Sequence, residues 1–302
     1  MREIIGVIVT VGVCVVAVGC GEAEMGEKEV VSLIRLEAGT RPGSSGSWAY
    51  GLGITPPWEN AGTLWANFPE HFEYGDVGYT ITRYHDKRPN AWVVEREGKY
   101  AHYEVDSLAA KGVRVLATAQ VVEPDRVKMT LTVKNGSDKL TLPDIKPLLC
   151  YQYAELVGFP GPKRKDGEHN FKWVYVVIDG KIVALADVPT KNPKTNRKGA
   201  TVKPRKPYRT HFVTKAGGWI EKPLDVGVSV ITSEDDKRAV ILHSEPSRSM
   251  LCNCWIPCLH ADPYFGTLKP GEEGTGTVTV IFAGEDWRRV VKGIAQAAKT
   301  AK

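Results

Sequence analysis

The side chains best suited to chemistry are concentrated in residues 249–282. The stretch HADPYFG places an imidazole, a carboxylate and a phenol at alternate positions, His260, Asp262 and Tyr264. An imidazole and a carboxylate can act as acid and base on a sugar, and an aromatic ring can lie against it. We therefore predict these three residues as candidate catalytic residues. An aspartate before a proline is also ordinary turn chemistry, so a plain loop is the alternative.

A second group with chemical potential is a set of cysteines, Cys150, Cys252, Cys254 and Cys258. If residues 252–260 formed one straight strand, its three cysteines and His260 would point to the same face. Same-face neighbours in a strand lie about 6.5–7 Å apart, whereas the Cβ atoms of a disulfide lie about 3.8 Å apart. A disulfide, a zinc site of unusual spacing and buried free thiols all remain open. We predict at least one disulfide and no bound metal.

The first 32 residues indicate export. Arg2 precedes an apolar run, residues 4–19, which ends in small residues just before Cys20. This run is shorter than the roughly 20 residues of a membrane-spanning helix, and its end resembles a bacterial lipobox. We predict a lipoprotein-type signal peptide over 1–20, lipidation of Cys20 and an acidic tether over 21–32. The chain would then be anchored in the bacterial cell envelope, facing the periplasm or the exterior. An ordinary secretory signal is the alternative.

From residue 33 to the region of residue 282, the sequence is typical of β-structure. About a dozen β-prone runs are separated by short turns, with almost no helical period between them. The clearest hairpin runs from 171 to 186 around Asp179-Gly180, a pair that suits a type I′ turn. Apolar residues recur at helical spacing only over 286–300. We predict one all-β domain over 33–302, a large antiparallel β-sandwich with a C-terminal amphipathic helix.

Charge is unevenly distributed along this domain. The whole chain has a net charge of +5, but residues 161–215 contain fourteen Lys and Arg against four acidic residues. Within them, residues 190–207 are polar and rich in proline, as expected of a long functional loop. A basic loop can bind a polyanion, which for an exported protein means an acidic polysaccharide or anionic lipid rather than nucleic acid. The predicted binding residues are Lys191, Lys194, Arg197, Lys198, Lys203, Arg205 and Lys206. A solvated loop without a ligand is the alternative.

Aromatic residues are concentrated near the start of this domain. Residues 47–73 are rich in aromatics, glycine and proline and show no strand periodicity, so we interpret them as an irregular segment. Irregular segments can expose rings on which sugars stack, and Trp58 and Trp65 are the predicted sugar-binding rings. The alternative is that both rings cover an edge of the core.

Two stretches carry a family resemblance: VKMTLTVKNGSDKLTLPDIKPLLC over 127–150 and LKPGEEGTGTVTVIF over 268–282. They resemble the galactose mutarotase-like supersandwich, found in aldose epimerases and in domains of polysaccharide lyases and glycoside hydrolases. The resemblance implies a sugar-handling fold and transfers no catalytic residue. No nucleotide-binding, serine-hydrolase or HExxH motif is present, and we expect no cofactor. The resulting hypothesis is a lipid-anchored protein that binds, and could process, a carbohydrate; the alternative is a non-catalytic envelope protein.

Overall fold

A computed structural model describes residues 33–40, 50–74, 79–83, 92–161, 170–188, 190–191, 211–212, 218–220, 222–253 and 257–300. The predicted signal peptide with Cys20, the acidic tether, Cys254 and the basic residues from Lys194 to Lys206 lie outside this part. Antiparallel strands dominate what is described, which confirms the all-β sandwich. None of the described helices is long and apolar enough to cross a membrane.

The first large sheet has seven strands, and it is the sheet that carries the predicted chemistry. Its order is β1-β2-β3-β9-β18-β17, and β4 pairs with the second half of β3 on the edge opposite β9. The labels number all strands along the chain. The seven are β1 (Arg35–Thr40), β2 (Tyr50–Thr55), β3 (Leu64–Tyr74), β4 (Tyr79–Arg83), β9 (Lys146–Gln152), β17 (Ser247–Asn253) and β18 (Cys258–Pro263).

The second large sheet has nine strands in the order β11-β10-β15-β16-β19-β8-β7-β6-β5. Its longest strands alternate between buried and more exposed positions, the pattern of a sheet with one face on the core. The nine are β5 (Val93–Glu95), β6 (Tyr100–Asp106), β7 (Val113–Glu123), β8 (Arg126–Asn135), β10 (Val174–Ile178), β11 (Lys181–Ala184), β15 (Val228–Thr232), β16 (Ala239–Glu245) and β19 (Glu273–Ala283).

The core fills the space between these two sheets. One cluster of buried apolar side chains takes Leu64 and Tyr151 from the seven-stranded sheet and Leu131 and Val280 from the nine-stranded sheet. The Tyr151 hydroxyl reaches across the core and lies 3.6 Å from the sulfur of Met129. This packing leaves the second face of the seven-stranded sheet turned away from the core.

The C-terminal helix is confirmed as α1 (Trp287–Thr300). It covers the outer face of one end of the nine-stranded sheet, where Trp287 and Val291 are buried against Val230 and Ile241. The indole nitrogen of Trp287 also donates a hydrogen bond to Asp236 at 3.1 Å.

Two local expectations need correction. Residues 47–73 are not an irregular segment, because β2 and β3 occupy most of their described part. The strand predicted from residue 171 begins only at Val174, since Asn170–Trp173 form a 3-10 helix.

Lys191 lies in β12 (Thr190–Lys191), which forms a small third sheet with β14 (Gly218–Ile220) and β13 (His211–Phe212). The rest of the predicted basic loop lies outside the described residues, so the loop stays a prediction.

Candidate functional site

The seven-stranded sheet has one face of unusual composition. In its centre, Asn67 of β3 pairs with Cys150 of β9, which in turn pairs with His260 of β18. Directly paired residues of antiparallel strands point to the same face, so these three side chains share one side. By the same register, that side, here called the polar face, carries Trp65, Asn67, Cys150, Gln152, Cys258 and His260. All six side chains are buried.

The cysteine stretch is a hairpin rather than a straight strand. β17 ends at Asn253 and β18 begins at Cys258, and the two strands pair with each other. Cys252 consequently packs in the core between the sheets, whereas Cys258 and His260 lie on the polar face. The common face that a straight strand would give to all of these residues is therefore not formed.

No disulfide is found among the described cysteines, and the predicted disulfide is not supported. Cys150, Cys252 and Cys258 are all buried free thiols. Cys252 is separated from the other two because it lies on the opposite face of the sheet. Cys150 and Cys258 are neighbours on adjacent strands, but their thiols stand side by side without a bond between them.

The cysteines are instead part of a compact buried group. The sulfur atoms of Cys150 and Cys258 and a ring nitrogen of His260 all lie within 4.8 Å of one another. The Cys258 sulfur is 3.8 Å from His260 Nε2, and the Glu70 Oε2 atom lies 3.8 Å from the same nitrogen. We call these four residues the thiol–imidazole cluster.

Glu70 joins this cluster because β3 is irregular at that point. The pairing of β3 with β9 shifts between Asn67 and His71, so that residues 68–70 stand opposite the single residue Leu149. A bulge of this kind releases a side chain from the strict alternation of a strand and re-aims it. The carboxylate of Glu70 thereby reaches His260, although Phe68, two residues earlier, is buried in the core.

The electrostatics of the cluster favour a charged pair. A hydrogen bond from the Cys150 thiol, together with His260, lowers the pKa of Cys258 to about 6 in spite of burial. Burial disfavours the imidazolium of His260, but the neighbouring Cys258 outweighs it and raises the pKa of His260 to about 9. The contact with Cys258 and burial raise the pKa of Cys150 well above its usual value. Near neutral pH the cluster holds a thiolate beside an imidazolium.

Two polar atoms of the cluster are buried without a hydrogen-bond partner among the described residues. They are Oε2 of Glu70 and Nδ1 of His260. Buried polar groups are almost always hydrogen-bonded, so an unpaired one calls for an explanation such as a bound ion or ligand. Both atoms belong to residues that already face the two thiols.

Asp262 interacts electrostatically with His260 but has other hydrogen-bond partners, whereas Tyr264 lies at the surface. The Asp262 carboxylate accepts hydrogen bonds from the backbone N–H of Leu149 at 3.0 Å and from the hydroxyl of Ser249 at 2.9 Å. Burial raises the pKa of Asp262 to about 6, against the opposing effects of His260 and of these hydrogen bonds. Tyr264 follows the end of β18 and is 41% exposed. Catalysis by the three residues stays a prediction.

The two predicted sugar-binding tryptophans also differ. Trp65 lies on the polar face beside Gln152, and its indole nitrogen donates a hydrogen bond to Glu155 at 2.8 Å. Trp58 is partly buried at the edge of the core, where it stacks on Phe159 at 5.8 Å and meets Phe282 edge-on at 5.5 Å. Trp58 therefore has the surroundings of a packing residue.

Sequence reasoning missed Glu70, Asn67, Gln152 and Glu155. The alternation of β3 could have placed Asn67 with Trp65, had the segment been interpreted as a strand. No comparable signal indicates Glu70, because its position depends on the bulge opposite Leu149.

Fold and site together define a two-sheet antiparallel sandwich with a buried, polar sheet face. No protein-family model matches the chain, and no curated protein is similar to it in sequence. A candidate aldose 1-epimerase from Escherichia coli K12 is similar in structure, with 10% identity and a TM-score of 0.43 over 82% of this chain and 99% of that one. A Synechocystis sp. PCC 6803 protein shows 10% identity and a TM-score of 0.42 over 84% and 93%.

A polysaccharide lyase is also similar, with 10% identity and a TM-score of 0.39 over 85% of this chain and 34% of the lyase. Aldose epimerases and polysaccharide lyases are the proteins that the sequence resemblance names. At these identities and scores, the likeness carries no argument about the chemistry of the site.

Proposed function

We propose that this protein binds a carbohydrate on the polar face of its seven-stranded sheet. The supporting observation is that a buried sheet face carries amides, an imidazole and an indole, although burying apolar side chains there would cost less free energy. Asn67 and Gln152 are amides, a group that pairs with sugar hydroxyls, and Trp65 is an aromatic residue on the same face. The sequence resemblance to sugar-handling supersandwiches supports the same ligand class.

The test of this proposal is a calorimetric binding series with oligosaccharides, carried out on the wild type and on polar-face variants. Gln152→Ala and Asn67→Ala should each weaken binding about three- to tenfold, as expected for the loss of one hydrogen-bonding group. Thr132→Ala is the matched control, because the hydroxyl of Thr132 lies on the exposed side of the other sheet. Equal binding by all variants would place the ligand elsewhere, and no binding would favour the non-catalytic envelope protein.

The finer proposal is that the ligand is anionic. It is supported by the basic composition of residues 190–207, which contain seven lysines and arginines and no acidic residue. Such a segment attracts uronic-acid or sulfated polysaccharides more than neutral ones, and its contribution should depend on salt.

We also propose that the protein is lipid-anchored through Cys20 in the bacterial cell envelope. The support is the apolar run that ends in small residues before Cys20. Stable anchoring needs more than one acyl chain, each contributing roughly 0.8 kcal/mol per buried CH₂. Wild type should enter the detergent phase in a phase-partitioning assay, while Cys20→Ser should stay in the aqueous phase. Identical partitioning of the two proteins would rule out the anchor.

A further inference from the structure

The thiol–imidazole cluster combines donor atoms that soft and borderline transition metals prefer. It offers two thiols, one imidazole nitrogen and one carboxylate oxygen, contributed by three neighbouring strands. Zinc binds such mixed sulfur, nitrogen and oxygen donors in tetrahedral sites, and soft thiolates discriminate against magnesium and calcium. This set of donors indicates a metal site more specifically than an acidic cluster does, because surface carboxylates are common and pairs of buried thiols are not.

We propose that Cys150, Cys258, His260 and Glu70 bind one divalent transition-metal ion of the zinc type. The ion would link β3, β9 and β18 on the polar face. Four protein ligands make a closed site, which is the arrangement of a structural rather than a catalytic metal. The inference goes beyond the proposed function, since it requires no carbohydrate.

The distances between the donor atoms suit this assignment. Usual zinc bond lengths place two tetrahedral ligand atoms roughly 3.4–3.8 Å apart, with sulfur pairs at the upper end. The separation from Cys258 Sγ to His260 Nε2 is 3.8 Å, and that from His260 Nε2 to Glu70 Oε2 is 3.8 Å. Both separations are compatible with two ligands of one ion, and the sulfur–nitrogen separation is also within hydrogen-bonding range. Small side-chain movements would bring these atoms around one ion.

The Glu70 oxygen is a second, independent observation. Oε2 of Glu70 is buried without a hydrogen bond among the described residues and lies 3.8 Å from Nε2 of His260, although the Glu70 side chain as a whole is 25% exposed. A carboxylate oxygen buried without a hydrogen bond is costly unless a cation compensates it. A divalent ion would add to the compensation that His260 gives and would also bind the thiolate of Cys258. The bulge in β3 places this carboxylate beside His260.

This inference changes two expectations drawn from the sequence. The expectation of no metal rested on the unusual spacing of the cysteines and on an oxidising compartment. The structure adds Cys150 and Glu70 from other strands and removes Cys252. A histidine bound to a metal through Nε2 is also no longer free to carry protons. The metal site and catalysis by His260 are therefore alternatives that experiment can separate.

The test uses the full-length protein, purified with reductant and stripped with a chelator, and titrated with Co²⁺ and then Zn²⁺. We expect one equivalent of Co²⁺ to give thiolate charge-transfer absorption in the ultraviolet, and Zn²⁺ to abolish it by displacement. Cys258→Ser and Cys150→Ser should weaken binding at least about 100-fold, and the conservative Glu70→Gln about tenfold. Absence of stoichiometric binding by wild type would overturn the proposal.

Cys252→Ala is the matched control. It removes a buried thiol from the same hairpin but from the opposite face of the sheet, so metal binding should be unchanged. Circular dichroism of each stripped variant separates lost binding from lost folding, and Glu70→Gln keeps the test decisive if a cysteine variant misfolds. Loss of binding in Cys252→Ala equal to that in Cys258→Ser would contradict the site. The site would also be contradicted by an intact-mass measurement, on protein from its native compartment, that shows a Cys150–Cys258 disulfide and no metal. Neither outcome depends on glycan binding.

Discussion

A single carboxylate, that of Asp262, accepts hydrogen bonds from the strands on both sides of its own. From β18 it accepts the backbone N–H of Leu149 in β9 and the hydroxyl of Ser249 in β17. Leu149 is the residue opposite the β3 bulge, where the regular ladder is interrupted. Asp262 therefore supplies an acceptor where the sheet has an irregularity, which is a structural role available to a residue first singled out for possible catalysis.

This role predicts how substitutions at Asp262 affect stability. Asp262→Ala should lower the free energy of unfolding by about 1–3 kcal/mol for each buried donor left unpaired. Asp262→Asn is the matched control, because its amide can still accept from Leu149 and donate to Ser249, and its loss should be clearly smaller. Urea unfolding measures both. Equal losses would show that the charge, rather than the hydrogen-bond geometry, matters at this position.

A second prediction at the residue scale concerns pH. Burial lowers the pKa of His243 below its ordinary value, with Glu245 opposing the shift. Because this pKa is lower in the folded than in the unfolded protein, the unfolded state binds protons more readily. The contribution of neutral His243 to stability is therefore present above about pH 6.5 and is lost as the pH falls. His243→Gln should reduce the loss of stability between pH values of roughly 8 and 5. The measurement is the urea midpoint across this range, and an unchanged slope would contradict the assignment.

At the scale of elements, the hairpin between β10 and β11 shows why some turns can be predicted. Asp179 and Gly180 both have positive φ, 52° and 73°, as a type I′ turn requires. The carboxylate of Asp225 accepts the backbone N–H groups of both residues, at 3.2 Å and 2.6 Å. Local sequence and a distant acceptor thus favour the same turn.

The conformation of Gly180 leads to a quantitative expectation. Gly180→Ala should destabilise the protein by roughly 1–2 kcal/mol, because an L-residue with a Cβ atom is strained at positive φ. Gly284→Ala is the matched control: nothing lies within 4 Å of the added methyl group and its φ is not in the left-handed region. It should be neutral or slightly stabilising. Thermal or urea unfolding compares the two, and equal effects would show that turn geometry is not the cause.

The elements of the polar face could be predicted less well. Residues 47–73 contain enough glycine, proline and tryptophan to hide the alternation of β2 and β3, although Trp65 and Asn67 do lie two positions apart on one face. The break between β17 and β18 falls between Asn253 and Cys258, and it decides which face each described cysteine occupies. Strands and turns are local properties, and the pairing of β9 with β3 and β18 is not.

For the whole molecule, the same distinction between local properties and strand pairing decides what can be predicted from the sequence. Alternation and short turns suffice for the sandwich, and the apolar period around Trp287 suffices for the helix. The thiol–imidazole cluster joins residues from Glu70 to His260, which come together only when three strands assume one register. No local pattern contains that information. Residues 190–207, here called the basic segment, are the opposite case, because their positive charge can be predicted from the sequence alone.

That charge predicts how the whole protein responds to salt. If residues 190–207 contribute to binding a polyanion, affinity for polygalacturonate should fall steeply with ionic strength, since the Debye length shrinks from about 10 Å at 0.1 M to 3 Å at 1 M. Dextran, which is neutral, should bind more weakly and show little salt dependence. Calorimetric titrations at low and high salt measure both affinities.

Two triple variants test whether the salt dependence comes from the position of the basic residues or only from the net charge. Replacing Lys194, Arg197 and Lys198 with Gln should flatten the salt dependence for polygalacturonate. Replacing Arg289, Lys292 and Lys299 of α1 with Gln removes the same charge from another part of the chain and should leave the dependence nearly unchanged. Equal flattening by both would show that only net charge matters. A steep dependence retained by the first variant would assign polyanion binding to a surface other than the basic segment.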